Sequence, residues 1–322
     1  MRLVLAAALS ALSLVLPFGT ASAQTYPDRP IKIIVPYGPG GSDVQMRLAQ
    51  PFMTQLLGQP LVVENRPGGG ATMGTAAVHN ANPDGYTLLF TGTAPLTVSP
   101  HMRKLPYKMD DFIPIGNVTG TALVVVARAD APFKSLAELM AYAKQNPGKV
   151  NMASNGIGTT THIVGEALQL VGGVKFTHIP YTGLAQVVAA MLNGSADFVI
   201  GIPGSFMTQI KAGALRALAT TGNARSEFVP EVPTLKESGL NVVEETKFGL
   251  LAPKGVAPAA VSKLTTALKA AVQSKEFVDR MRSNFVTAVY LDPAGFTDAL
   301  RQEDEYWSAM LKRPEFRALV DN

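Results

Sequence analysis

The 322-residue chain contains no cysteine. That excludes disulfides, thiol nucleophiles, thiolate metal sites and lipid attachment through a cysteine. Charged residues make up only 16% and aromatic residues 7%, and the formal charge of +4 is spread along the chain. It carries no Lys/Arg cluster of the kind nucleic-acid binders use. The four histidines, at positions 79, 101, 162 and 178, have neither the HxxxH spacing of a metal site nor a nearby ladder of carboxylates. No GxSxG nucleophile elbow occurs. Catalysis and metal binding thus lack their usual residue sets, and no cofactor is expected. Past the first 23 residues no apolar run approaches the roughly 20 residues that span a bilayer, so the mature chain is expected to be soluble.

What is present begins with a leader. Arg2 supplies a short positive region, Leu3 to Leu16 is almost wholly apolar, and Ala21-Ser22-Ala23 fits a small-residue cleavage site. Residues 1–23 are therefore expected to be removed on export. The remaining length suggests two domains, and a hydrophobic fraction of 47% suits a packed core.

Strand-like and helix-like segments alternate, the pattern of α/β layers with largely parallel sheets. Strands are expected at Ile31–Val35, Leu61–Glu64, Tyr86–Thr91, Ile113–Val118 and Leu123–Ala127. A second set runs through strands Val150–Ala153, Lys175–Ile179, Asp197–Ile202, Leu215–Thr220 and Val242–Leu251. Helices are expected over Asp43–Leu57, Ala71–Asn80, Ser135–Gln145, Thr160–Val171, Leu184–Asn193 and Ser205–Ala212, with a helical tail over Ala257–Val272, Glu276–Phe285 and Pro293–Lys312. Ser135 with Glu138 reads as a capping box, and Asp292-Pro293 as a cap followed by proline in the first turn.

One unit occurs twice: a strand, a small-residue loop, and a helix start. The first is Ile31–Val35 followed by Tyr37-Gly-Pro-Gly-Gly-Ser42 and a helix opening at Asp43; the second is Val150–Ala153 followed by Ser154-Asn-Gly-Ile-Gly-Thr159 and a helix from Thr160. Such loops present unpaired N–H groups with the positive end of a helix dipole, and accept an anion without an arginine. The first loop alone fits equally a tight turn with Asp43 as helix cap, and Asp43 stands where a dinucleotide fingerprint needs its third glycine. The second loop favours the anion reading, because its hydroxyls and amide are donors and three consecutive threonines are poor helix formers. His162 falls in the first turn of that helix, as a buried group or as a ligand contact. Thr91-Gly-Thr-Ala-Pro95 and Ile179-Pro-Tyr-Thr-Gly183 end further strands at the same sheet edge, where open α/β sheets bind ligands. Tyr181 either lines the cleft or packs the loop. Asp110-Asp111 and Glu303-Asp304-Glu305 read as solvated faces or caps, and Asp43 with Arg47 as a helix-surface pair.

These pieces resemble the periplasmic substrate-binding proteins of tripartite tricarboxylate transporters, the Bug family. The matching stretches are Tyr26-Pro-Asp-Arg-Pro-Ile31, Val35-Pro-Tyr-Gly-Pro-Gly-Gly41, Val63-Glu-Asn-Arg-Pro-Gly68 and Asn82-Pro-Asp-Gly-Tyr-Thr-Leu88. Later come Ser154-Asn-Gly-Ile-Gly-Thr159 with His162, Ile179-Pro-Tyr-Thr-Gly183, Gly194 with Asp197, Glu231-Val-Pro-Thr234 and Phe248-Gly-Leu-Leu-Ala-Pro253. The resemblance implies a two-domain type II periplasmic-binding-protein fold with a ligand cleft between the domains, 24–123 plus 248–322 forming one and 124–247 the other. It implies a periplasmic, monomeric protein that binds a small mono- or dicarboxylate, aliphatic or aromatic, and delivers it to membrane permease subunits, with no nucleic acid involved. Carried over by position, the contacts are Tyr37, Gly38, Gly40, Gly41, Ser42, Asp43, Thr91 and Thr93 in the first domain. In the second they are Ser154, Asn155, Gly158, Thr159, Thr160, His162 and Tyr181. Three departures stand out. The first loop is one residue short between Gly41 and Asp43, Tyr37 replaces a common phenylalanine and adds a hydroxyl, and Thr182 occupies a place that often holds a cation. Rival readings are a receptor that signals to a sensor protein and an exported enzyme.

Overall fold

The computed structural model describes residues 26–313; the expected leader and cleavage site lie outside them. In chain order the first elements are β1 (Ile31–Val35), α1 (Gly41–Leu57), β2 (Leu61–Asn65), α2 (Thr72–His79) and β3 (Thr87–Gly92). The short helices α3 (Ala94–Thr97) and α4 (Ser99–Met102) precede the long β4 (Phe112–Ala122). The next set is β5 (Val124–Arg128), α5 (Leu136–Gln145), β6 (Asn151–Ser154), α6 (Thr160–Gly172) and β7 (Thr177–Pro180). It continues with α7 (Leu184–Asn193), β8 (Phe198–Gly201), α8 (Met207–Lys211) and β9 (Leu215–Thr220). The chain ends with β10 (Glu245–Pro253), α9 (Pro258–Val272), α10 (Lys275–Ser283), β11 (Ala288–Leu291) and α11 (Pro293–Leu311).

The strands form two sheets, ordered β11-β4-β10-β3-β1-β2 and β7-β6-β8-β5-β9. Within each, the strands that feed loops into helices run parallel: β1 with β2 and β3, and β6 with β7 and β8. The strands that carry the chain between sheets, β5 and β10, pair antiparallel with their neighbours. The chain leaves the first sheet at Ala122, enters the second at Val124, and returns between Thr220 and Glu245. Strands covered on both faces read as continuous apolar runs, and β1 does so, with Lys32 its one exposed residue.

Helices cover both sides of each sheet. Met46, Ala49 and Met53 of α1 and Leu264, Ala267 and Leu268 of α9 pack one face of the first sheet; Phe296 and Leu300 of α11 pack the other. In the second lobe, Leu139 of α5 and Ile163, Val164 and Leu168 of α6 pack one face, and Val187 and Met191 of α7 the other. Trp307 and Leu311, at the end of α11, share a core with the second sheet, as do Ala94 and Val98. The two lobes are therefore joined by packing as well as by chain crossings.

Two expected caps form: Ser135 Oγ accepts from Glu138 N, and Asp292 Oδ1 from Gly295 N. The helix expected over Ser205–Ala212 splits into a 3₁₀ turn at Pro203–Ser205 and the shorter α8, with Phe206 between them and buried. Strand β11 and helices α3 and α4 are additions to the expected set. Glu303 departs from its reading as a solvated side chain: it points inward from α11, accepts from Thr97 Oγ1 at 2.9 Å, and is pushed up by burial.

Candidate ligand-binding site

Three helices begin at the cleft, and in none does the side chain of the residue before the first turn accept from that turn. Helix α1 opens after Gly40, whose φ of 138° favours glycine. The Asp43 carboxylate turns away from the cleft, accepting from Gly40 N at 2.6 Å and from Arg47 Nε at 2.9 Å. Helices α6 and α7 open after Thr159 and Gly183, where no side chain caps the first turn. Each start lies at the carboxyl end of a parallel strand, so the dipole ends point into the gap between the lobes.

The second loop is braced from beneath. Ser154 Oγ lies 2.6 Å from His178 Nε2 and accepts from Gly156 N at 3.1 Å. Gly158 N donates to His162 Nδ1 at 3.2 Å, which assigns the remaining ring proton to Nε2, facing Glu166 Oε1 at 3.5 Å. The two imidazoles stack at 4.1 Å. Burial, reinforced by His162, pushes the His178 pKa down to about 4, so that ring is a neutral support. Above them, Thr159 Oγ1 donates to Gly156 O at 2.7 Å, and Asn155 N donates to Thr161 Oγ1 at 3.3 Å.

Loops from opposite lobes meet at the rim. A Cβ on Gly38 would lie 3.6 Å from Gly183 Cα, and one on Gly40 would lie 2.9 Å from the Leu184 side chain. Arg103 Nη2 donates to Gly69 O of the first lobe at 2.6 Å and reaches Ile157 O of the second at 3.4 Å. Behind this rim is a cavity of about 380 Å³. Part of its lining is apolar, supplied by Leu123, Ile200, Ile202, Phe206 and Phe248, and Thr246 also lines it. Among the described residues Arg103 is the one charged side chain in the lining, and no carboxylate faces the cavity.

Of the residues named from sequence, Tyr37, Gly38, Gly41, Ser42, Asn155, Thr159, Thr160 and Tyr181 line this cavity. Gly40, Asp43, Thr91, Thr93, Ser154, Gly158 and His162 lie outside the lining. Asp43 serves as an internal cap, while Gly40 and Gly158 shape their loops at positive φ. Ser154 and His162 brace the second loop from below. Thr91 Oγ1 bonds the Tyr37 hydroxyl at 3.2 Å, and Thr93 is buried at the start of α3. The Tyr37 hydroxyl also accepts from Gly92 N at 3.3 Å, so it is committed internally, and burial pushes its pKa up to about 12. Thr182 lines the cavity and donates from both N and Oγ1 to Gln186 Oε1 at 3.0 Å.

Sequence reasoning missed the Gly68–Gly70 stretch, Thr161, Arg103, Ser205 and Thr246 as cavity residues. The glycine run carried a usable signal, since it follows β2 and precedes α2 at the same sheet edge. Arg103 and Thr246 sit in no pattern that marks them. Chemically, the site offers helix dipoles, hydroxyls and one cation to an anion. The Ser154–His178 contact is sealed beneath the loop, since Ser154 is fully buried and does not reach the cavity.

The family model for the tripartite tricarboxylate transporter family receptor matches residues 45–314. The chain is 36% identical over 296 residues to protein BugT of Bordetella pertussis, covering 90% of this chain and 91% of that protein. The solved structure of the periplasmic binding protein BugD superposes with a TM-score of 0.84 at 32% identity, covering 89% of this chain and 98% of that one. MatC from Rhodopseudomonas palustris, solved with bound malate, gives a TM-score of 0.84 at 26% identity, covering 89% of this chain and all of its own. With one pattern running the length of these relatives and two α/β sheets facing one cleft, the chain belongs to the tripartite tricarboxylate transporter receptor family, the Bug solute-binding proteins.

Proposed function

We propose that this protein captures a small mono- or dicarboxylate in the periplasm, between two lobes that close on it, and delivers it to the membrane subunits of a tripartite transporter. The observation that carries this reading is the convergence of three helix starts on a cavity with no carboxylate in its lining among the described residues. The malate bound to MatC supports the ligand class. The moving units are 24–123 plus 248–322 and 124–247, the leader 1–23 is cleaved, and the receptor acts as a monomer. Direct contacts come from Tyr37, Gly38, Gly41, Ser42, Asn155, Thr159, Thr160 and Tyr181, while Gly40, Asp43, Thr91, Thr93, Ser154, Gly158 and His162 hold the loops.

The test is a thermal-shift screen of the mature chain against amino acids, C4–C6 diacids, citrate and aromatic carboxylates, with phosphate and sugars as controls. A ligand that binds only the folded state raises the melting point by mass action. A selective shift with a carboxylate, reduced in a Thr159→Ala, Thr160→Ala double variant, is expected. A flat carboxylate panel with a shift from phosphate or a sugar would overturn the reading.

A further inference from the structure

Among the described residues other than glycine, only Ala71 and Phe285 have a left-handed backbone. Phe285 follows α10 at φ +57°, donating its N–H to Arg282 O at 2.9 Å, while Val286 N donates to Met281 O at 3.0 Å. Helices that close in this way usually carry glycine at that position, because a Cβ there is strained. A bulky side chain kept in a strained conformation calls for a contact that outweighs the strain. The Phe285 ring finds that contact outside its own lobe. It packs against Met207, Val229 and Val232, a cluster whose other members all belong to the second lobe. Phe228 meets the ring edge-on, with centroids 5.8 Å apart and planes at 81°, and Lys211 Nζ lies 4.6 Å from its centroid. At the exposed border Arg282 pairs with Glu227 at 2.8 Å. The backbones also meet, since a Cβ on Gly204 would overlap the Asn284 carbonyl oxygen.

None of these groups lines the ligand cavity, yet the turn that receives them does. The second lobe's 3₁₀ turn Pro203–Ser205 is held by Ser205 N to Ile202 O at 3.0 Å and by Phe206 N to Pro203 O at 2.9 Å. Its Ser205 lines the cavity, and a Cβ on Gly41 of the first lobe would lie 2.7 Å from Ser205 Oγ. One short turn thus meets the first lobe twice, at the start of α1 and at the end of α10. Those two helices move as one body, since Phe52 of α1 packs edge-on against Phe277 of α10 at 6.1 Å. Widening the cleft between Gly41 and Ser205 therefore draws Gly204 off Asn284 and the apolar socket off Phe285.

We infer that Phe285 is a closure clasp: its ring seats in the second lobe when the cleft closes, leaves when it opens, and so sets how long a bound solute is held. The inference rests on the closing lobes of the reading above, and not on which solute fills the cleft. Phe285 is in this sense a positioning residue, acting through the 203–205 turn without touching the solute. A contact confined to the closed state shifts the open–closed balance, and with it solute release, by its own strength. An edge-on aromatic pair with a cation–π contact to an exposed lysine corresponds to roughly a 5- to 50-fold effect.

The test measures stopped-flow release and calorimetric affinity on the mature chain, using the carboxylate with the largest thermal shift in the panel above. Phe285→Gly removes the ring and relieves the strained φ. It is expected to release that carboxylate roughly 5- to 50-fold faster, with a ligand-free melting temperature no lower than the parent's. Phe228→Ala should act in the same direction from the other lobe. The double variant should release no faster than the faster single variant, because both changes remove one contact. Gly204→Ala, at a position whose backbone is not left-handed, should also weaken binding by obstructing Asn284. Unchanged release in Phe285→Gly, effects that add in the double variant, or a lower ligand-free melting temperature with unchanged affinity would mark a fixed brace. Any of these overturns the clasp and leaves the carboxylate receptor standing. If only phosphate or a sugar binds, the carboxylate reading fails, and the same release comparison with that solute decides the clasp.

Discussion

Replacing Gly70 by alanine should weaken ligand binding far more than it weakens the fold. Gly70 lies in the loop between β2 and α2 at φ +63°, a left-handed conformation. Alanine there costs about 1 kcal/mol in backbone strain. Its methyl would also sit about 1 Å inside ordinary contact with the Ile157 carbonyl oxygen, which belongs to the opposite lobe. That overlap is relieved when the lobes part, so it penalises only the closed state. Overpacking of this size typically costs about 1–3 kcal/mol, which corresponds to ligand affinity reduced roughly 5- to 150-fold. Gly58 is the matched control, since it closes α1 at φ +68° with nothing within 4 Å of its would-be Cβ. Both variants should lower the melting temperature by about 2–4 °C, and only Gly70→Ala should weaken binding and leave the lobes apart in solution scattering with ligand present. Equal affinities for the two variants would refute the reasoning, because the Gly70–Ile157 contact would then not belong to the ligand-bound state.

Three further outcomes follow from buried titratable groups and the second loop. Burial, then the Glu303 carboxylate, pushes the Glu244 pKa up, so the folded protein keeps a proton that the unfolded chain releases. Stability should therefore fall as pH rises from about 4.5 towards 8, and Glu244→Gln should flatten that slope in urea titrations. His178 shows the opposite sign. Its folded pKa lies below the unfolded value, so stability should be lost as pH falls from about 6.5 towards 4, and His178→Gln should lessen that loss. Removing the hydroxyls of Thr159 and Thr160 together should weaken carboxylate binding by about tenfold, at roughly 1 kcal/mol net for each of one or two hydrogen bonds, measured by calorimetry.

The layered fold was legible because both of its signals are local. Runs such as Ile31–Val35, buried but for Lys32, and Val124–Val126 read as strands of covered sheets, and Ser135 and Asp292 mark helix starts through bonds within a few residues. The two strand–loop–helix units were legible for the same reason, since a glycine loop between strand and helix reveals its N–H groups in sequence. What escaped depends on packing between distant segments. Arg103 matters because it bridges Gly69 and Ile157, 34 and 54 residues away. Thr246 matters because β10 returns to lie beside β4, opposite Thr121. Asp43, Ser154 and His162 were expected at the ligand, yet their polar atoms turn to Gly40, His178 and Gly158. Residue type and spacing mark such side chains as polar and close to the loop, and only the fold decides which way they face. Glu303 escaped for the same reason, as nothing in Glu303-Asp304-Glu305 says which carboxylate α11 turns inward.

The central claim is that helix starts at the rim hold a carboxylate by its charge. The direct measurement is a calorimetric titration of the mature chain with the best carboxylate from the screen and with the carboxamide of the same skeleton. The two differ little in shape, and only one carries the negative charge that the three helix starts favour. The account predicts that the acid binds and the amide binds at least about 100-fold more weakly, in line with the several kcal/mol that separate a charged from a neutral partner at such a site. Equal affinities for acid and amide would contradict it.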